Sequence, residues 1–257
     1  MFTVTPIPAF IDNYIWMLST PDQEQVVVVD PGDASKVLEV LERDKRSLQA
    51  ILITHHHNDH TGGVAELLSH FNIPVYGPKN SPFNGITHPL SDGDSISVLG
   101  HNLLVREIPG HTLDHICYLS QLQTHQLFCG DTLFLAGCGR LFEGSPKQML
   151  TAMQMFKTLP TSTEVYCTHE YSMANLAFAL AVEPNNTEIQ KVTLKCQQLR
   201  DNNQPTLPTS IGQECTINPF MRTEFSEVIS AAEQYAKRSI EDEVDTFTII
   251  REWKNQF

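Results

Sequence analysis

The sequence predicts an α/β unit over residues 1–169 followed by an α-helical region over residues 170–257. Three observations carry that division. Short apolar runs recur in the first part and end in turn residues, as buried strands do. Segments with helical periodicity lie between some of them. After residue 169 the strand signal stops, and four helical stretches follow: Ser172 to Val182, Thr187 to Asn202, Glu224 to Arg238 and Asp242 to Gln256. A proline-punctuated connection, Pro205 to Pro219, separates two of them.

In chain order, Val26 to Val29 is a β-branched run that reads as a buried strand and ends in the turn Asp30-Pro31-Gly32. Asp30 is either a turn cap or a hydrogen-bonding support for a nearby site. Lys36 to Lys45 suits a short helix. Ala50 to Thr54 is the next strand, and it runs into His55-His56-His57-Asn58-Asp59-His60-Thr61-Gly62-Gly63. A helix begins near Thr61-Gly62, with Val64, Leu67, Leu68 and Phe71 on its apolar face, and its glycines let the backbone approach the site closely. Ile73 to Gly77 is a strand, and Ser95–Val98 with Leu103–Ile108 reads as a hairpin. Strand character returns at Ile116–Leu119 and at Leu127–Phe134. Ser145-Pro146 signals an N-cap followed by proline at the first helical position, opening a helix to Leu159. Glu164 to Cys167 is the last strand of this part.

Bulk properties set limits. The 257 residues are 41% apolar and 18% charged, within the range of ordinary globular chains. A formal net charge of −13 argues against non-specific binding to nucleic acid or to anionic membranes. No apolar stretch is long enough to span a bilayer, and the first residues lack the basic and apolar regions of a signal peptide. Six cysteines without CxxC spacing then read as free thiols of a cytoplasmic protein.

The chemistry concentrates at strand ends. Four histidines and an aspartate occupy the six positions 55–60. Imidazole is a poor core former and needs partners for both nitrogens, whereas it is a standard ligand for zinc and its neighbours. His55 and His57 lie two apart and point the same way in extended backbone. His56 then points away. His111, Asp131 and His169 each follow a strand as well. Side chains carried to one edge of a sheet by four strands converge in space. His115 reads as a hydrogen-bonded structural histidine. Cys138 has no base partner that would make it a nucleophile.

The motif His55-x-His57-x-Asp59-His60, with His111, Asp131 and His169 downstream, resembles the metallo-β-lactamase superfamily. Pro109-Gly110-His111-Thr112, Cys129-Gly130-Asp131-Thr132, Gly137-Cys138-Gly139-Arg140, Phe142-Glu143-Gly144, Thr168-His169-Glu170-Tyr171, Asn218-Pro219-Phe220-Met221-Arg222 and Arg251-Glu252-x-Lys254 are similar to the glyoxalase II, or hydroxyacylglutathione hydrolase, family. The resemblance runs from end to end. The metal motif is specific only to the superfamily, and the C-terminal helices with Arg251 and Lys254 narrow it.

The resemblance implies an αβ/βα sandwich with a C-terminal α-helical domain that binds substrate. It implies two divalent metal ions, zinc first and iron or manganese as alternatives. His55, His57 and His111 would hold one; Asp59, His60 and His169 the other; Asp131 and a hydroxide would bridge them. Arg140, Phe142, Tyr171, Arg251 and Lys254 would line a glutathione site. Arg140 and Phe142 stand where lysine and tyrosine are often found, so one charge is kept and one hydroxyl is lost. Asp59 and Asp131 would be catalytic, with the bridging hydroxide as nucleophile. The implied activity is hydrolysis of S-(2-hydroxyacyl)glutathione, chiefly S-lactoylglutathione, to glutathione and lactate, the second step of methylglyoxal detoxification. The expected partner is this small molecule alone, on a monomeric chain. A single-iron persulfide dioxygenase would share the metal motif, but the complete second ligand set and Arg251-x-x-Lys254 count against it.

Overall fold

The computed structural model describes residues 2–21, 23–122 and 125–257. The alternation along Val26–Val29 explains the layering. Val26 and Val28 face one apolar cluster while Val27 and Val29 face another, because successive strand residues point to opposite faces. A strand buried on both faces must lie inside a layered fold.

The first sheet holds six strands in the order β1 (Thr3–Ala9), β2 (Asn13–Ser19), β3 (Gln25–Val29), β4 (Ser47–Leu52), β5 (Val75–Pro78) and β6 (His88–Leu90). The second runs β14 (Thr209–Ser210), β13 (Glu164–Cys167), β10 (Gln126–Gly130), β9 (Ile116–Ser120), β8 (His101–Glu107) and β7 (Ser95–Val98). A small ribbon, β11 (Leu133–Phe134) and β12 (Gly137–Cys138), stands beside it. Helices α1 (Ala34–Asp44) and α3 (Val64–His70) cover the outer face of the first sheet through Val37, Leu41, Val64 and Leu67. Trp16, Leu18, Val27 and Leu52 meet Val105, Tyr118, Phe128 and Val165 between the sheets. Trp16 also donates its Nε1–H to the Cys167 carbonyl at 3.0 Å. Helix α4 (Pro146–Lys157) packs Met149, Met153 and Phe156 into the same cluster. The architecture is the αβ/βα sandwich.

The local signals explain several boundaries. Ser145 and Gln148 form a reciprocal capping box at α4, with Pro146 at the first helical position. β7 and β8 join through Leu99-Gly100, both at positive φ, so this two-residue hairpin turn is one that matches strand twist.

Three features of residues 1–169 depart from the sequence reading. The β1–β2 hairpin was not anticipated, because Pro6 and Pro8 interrupt the strand signal; prolines are tolerated here since β1 is an edge strand. Helix α2 (Asn58–Thr61) begins earlier than expected, so Asp59 and His60 are helical residues. Gly62 and Gly63 do not bring backbone towards the site; a Cβ on Gly63 would strike Pro31 and Ala34, so their small size serves the packing of α2 on the β3–α1 loop.

The helices after residue 169 are α5 (Ser172–Val182), α6 (Thr187–Asp201), α7 (Ile211–Ile217), α8 (Ser226–Ala236) and α9 (Glu243–Gln256). The stretch expected to be a bare connection between Pro205 and Pro219 holds β14 and α7. Their signals are too short to register alone, and Ser210 caps α7 by accepting from Gln213 N. β14 pairs antiparallel with β13, so the helical region contributes a strand to the second sheet. Among the described residues no helix is long and apolar enough to cross a membrane.

Candidate metal centre

Four strands of the two sheets deliver the polar residues. His55 and His57 follow β4, and Asp59 and His60 follow on α2. His111 follows β8, Asp131 follows β10 and His169 follows β13. Their ligand-type atoms form two separate groups, His55/His57/His111 and Asp59/His60/His169, each within 4.8 Å, and a third, His55/His60/Asp131, links them. His57 Nδ1 lies 3.1 Å from both His55 Nε2 and His111 Nε2. His169 Nε2 is 3.4 Å from Asp59 Oδ2, and His60 Nε2 is 3.6 Å from it. Asp131 reaches both groups: Oδ1 is 3.5 Å from His60 Nε2, and Oδ2 is 3.5 Å from His111 Nε2 and 3.2 Å from His169 Nε2.

This arrangement fits bound cations. His60 Nε2 and Asp131 Oδ1 are buried and have no hydrogen-bond partner. Buried polar atoms are rarely left so. The other ring nitrogens are occupied in ways that turn a lone pair inward. His111 Nδ1 donates to the Arg140 carbonyl at 2.7 Å, and His60 Nδ1 to Asp30 Oδ2 at 2.9 Å. His169 Nδ1 donates to Asp12 Oδ1 at 2.8 Å. Such outer partners set the tautomer and raise ligand basicity. The His/Asp groups therefore suit two divalent metals.

The electrostatics divide the histidines. Burial holds His55, His57 and His111 below the ordinary imidazole value. Burial opposes charge on His60 and His169 too, but Asp131 and the neighbouring carboxylates outweigh it, raising His60 well above the usual range and His169 to about 10. Asp131 is held far below the carboxylate range by His169 and His60, against the effect of its burial. The electrostatics thus favour positive charge at His60 and His169, beside Asp131 and Asp59, and neutral imidazole at His55, His57 and His111.

Asp30 proves to be a support: it accepts from Thr54 N at 2.8 Å, from Thr54 Oγ1 at 2.7 Å, and from His60. His56 pairs with Asp114 at 2.9 Å and lines no part of the cleft. His115 stacks on His55 at 4.5 Å and accepts from Asp131 N at 3.1 Å, so it positions the Asp131 backbone. Gly130 sits at φ +49, where a Cβ would collide with Thr54 Oγ1 and the His115 ring. Asp12 and Asn13 were missed in the sequence. The available signal was a polar Asp-Asn pair between two strand-like runs.

A cleft of about 580 Å³ opens over these groups and is walled by Arg140, Phe142, Tyr171, Arg251 and Lys254. Tyr171 stacks on His169 with ring centroids 4.7 Å apart, and Phe142 sets its edge against His57 and His111. Phe142 is 64% exposed at the mouth. Arg251 is only 5% exposed; it donates to the Cys138 carbonyl at 2.8 Å and so ties α9 to β12. Burial, with Arg251 and Arg140 nearby, lowers the Lys254 ammonium. Burial pushes the Cys138 thiol up, so it is no activated nucleophile. A larger groove of about 820 Å³ lies among the C-terminal helices, lined by Glu183, Arg222 and Trp253 and without a histidine.

The fold and this site recur in known proteins. Residues 12–169 match the model of the metallo-β-lactamase superfamily, and residues 170–257 match that of the hydroxyacylglutathione hydrolase C-terminus. The hydroxyacylglutathione hydrolase of Shewanella baltica is 47% identical, and that of Hahella chejuensis 48%, each over the whole of both chains. Among solved structures, the BLEG-1 B3 metallo-β-lactamase superposes with a TM-score of 0.64 at 26% identity, covering 86% of this chain and 99% of its own. ETHE1 from Myxococcus xanthus shares the fold, with a TM-score of 0.67 at 21% identity over 98% of this chain and 91% of its own. The chain belongs to the hydroxyacylglutathione hydrolase family of the metallo-β-lactamase superfamily.

Proposed function

We propose that the chain hydrolyses S-(2-hydroxyacyl)glutathione thioesters, chiefly S-lactoylglutathione, to glutathione and a 2-hydroxy acid, as in the second step of methylglyoxal detoxification. One observation carries the reading: a carboxylate, Asp131, contacts both histidine groups on the floor of a cleft whose wall holds three cationic side chains. Residues 1–169 then form the catalytic unit, and residues 170–257 supply Tyr171, Arg251 and Lys254 for substrate.

His55, His57 and His111 would hold one ion, and Asp59, His60 and His169 the other, with Asp131 shared. When bound, two divalent cations supply an acidified water and Lewis acidity towards the thioester carbonyl. Zinc is the first choice for this donor set, and iron or manganese would also be accepted.

The chain's own residues do the rest. Asp59, held by Asn13 at 3.1 Å, faces the two Nε2 atoms of its group and would accept a hydrogen bond from the attacking water, orienting it. Burial would raise Asp59, but His169, His60 and Asn13 keep it ionised, below the carboxylate range. Attack at the carbonyl breaks the C–S bond, and the acyl group leaves with the water oxygen. A thiol with pKa near 8.5 departs readily as thiolate, so no strong acid is required. Arg140, Arg251 and Lys254 lie close enough to repel one another, and an anionic glutathione moiety relieves that repulsion. Arginine suits carboxylates because its donors pair bidentately. A small-molecule substrate suits a cleft of about 580 Å³, and six free thiols suit a cytoplasmic setting; the chain is read as a monomer.

The test is metal analysis beside a thioester assay. Two equivalents per chain with cleavage of S-lactoylglutathione are expected. One equivalent or fewer after metal-replete purification, with no thioesterase activity, would sink the reading.

A further inference from the structure

We infer that the tip of the β1–β2 hairpin, through Asp12 and Asn13, is the positioning device for one metal position alone: that of Asp59, His60 and His169. The inference rests on the two-metal reading above. Asp59 follows β4 in the first sheet and His169 follows β13 in the second, so no single strand can hold them in register. The hairpin tip touches both. Asp12 Oδ1 accepts from His169 Nδ1 at 2.8 Å, which leaves Nε2 as the free lone pair facing the cleft. Asn13 Nδ2 donates to Asp59 Oδ2 at 3.1 Å.

The tip is itself fastened on both sides of His169. Tyr14 N donates to the Thr168 carbonyl at 2.6 Å, and Glu170 N to the Asp12 carbonyl at 2.8 Å. Asn13 and His169 face each other as an isolated antiparallel bridge. The hairpin therefore crosses from one sheet to the other at the site.

The two metal positions have different outer partners. In the first group, His111 and His55 turn their Nδ1 towards neutral oxygens, the Arg140 carbonyl at 2.7 Å and Thr54 Oγ1 at 3.0 Å. In the second, both histidines are backed by carboxylates, His60 by Asp30 and His169 by Asp12. A carboxylate behind an imidazole makes the inward nitrogen a stronger donor, and losing such a partner costs about 10–100-fold in metal affinity. Removing Asp12 should therefore weaken one position and spare the other. Asn13 is buried, but the Asp12 side chain is 32% exposed and its neighbour Ile11 is 99% exposed, so the carboxylate can be removed without opening a core.

The full chain is stripped of metal and titrated with zinc against a competing chelator, and in parallel with cobalt(II) followed by its visible spectrum. The wild type should take two equivalents. Asp12→Ala should keep one at wild-type affinity and hold the second about 10–100-fold more weakly, with one cobalt band set altered. Asp12→Asn keeps an acceptor for His169 Nδ1 but not the charge, so it should fall between, and it decides the question if alanine unfolds the tip. Asn13→Ala should weaken the same position. Two equivalents at wild-type affinity in the Asp12 variants, or equal weakening of both positions, would overturn this inference alone. A wild type that binds one equivalent or fewer overturns the two-metal reading and this inference with it.

Discussion

At the residue scale, Asp131 carries the most. Among the described residues it is the one carboxylate within 3.5 Å of histidines from both groups, so removing it should affect both metals. Asp131→Ala is expected to lose both ions, or at least 100-fold in turnover, on the order of 3 kcal/mol in barrier; full metal content and rate would show that the bridge is misassigned. Lys254 tests the other wall. Its ammonium lies near the Phe178 and Phe257 rings, with Nζ 3.2 Å from the Ala174 carbonyl, and among the described residues no acid pairs with it. Lys254→Ala should raise KM for the glutathione thioester about tenfold while changing kcat little, as loss of uniform binding does. An unchanged KM would make Lys254 a solvated helix residue. The ligand-type residues were legible in the sequence because imidazole clusters have few other uses. Their supports were not: Asp12 lies 157 positions from His169, and no local pattern couples them.

At the element scale, α7 holds a buried acid. Glu214 accepts from Ala136 N at 2.7 Å, from Thr209 Oγ1 at 2.6 Å and from Asn218 Nδ2 at 2.9 Å. Burial outweighs these donors and raises its pKa from 4.5 to about 7. The folded chain thus keeps a proton that the unfolded chain releases, and stability falls as pH rises through that window. Above it the full penalty applies, on the order of 3 kcal/mol at 1.36 kcal/mol per unit. Glu214→Gln should therefore gain stability relative to the wild type between pH 5 and pH 8, read by urea denaturation at both. A difference that does not change with pH would show that burial does not hold the proton. Comparing variant with wild type cancels the titration of the metal-site histidines. The strand before this helix, β14, and α7 itself went unseen in the sequence. Two strand residues and seven helical ones carry too little periodicity, and Pro205 and Pro208 read locally as connection.

At the scale of the molecule, the helical region and the sandwich share one core. Phe178, Phe220, Phe247 and Ile250 belong to the same apolar cluster as Phe128, Met149 and Phe156. β14 also completes the edge of the second sheet. A fragment ending at residue 169 would expose that surface and leave β13 with an open edge. It is expected to aggregate or to lack a cooperative melt, which calorimetry and near-UV circular dichroism would show. A cooperative transition close to that of the full chain would mean that residues 1–169 are self-sufficient.

The sequence by itself determined the layered α/β class, the strand ends that carry chemistry, and the residue types that make a metal centre. Each is a local property: periodicity sets the element, and the donor atom sets the ligand. Only the tertiary structure decided how the centre is held. Asp12 and Asn13 come from a hairpin that two prolines disguise, Asp30 reaches His60 and Thr54 from the neighbouring strand, and Arg251 bonds the β12 loop besides lining the cleft. These contacts join segments far apart in the chain, and hydrogen bonds between distant segments leave no periodic trace along it.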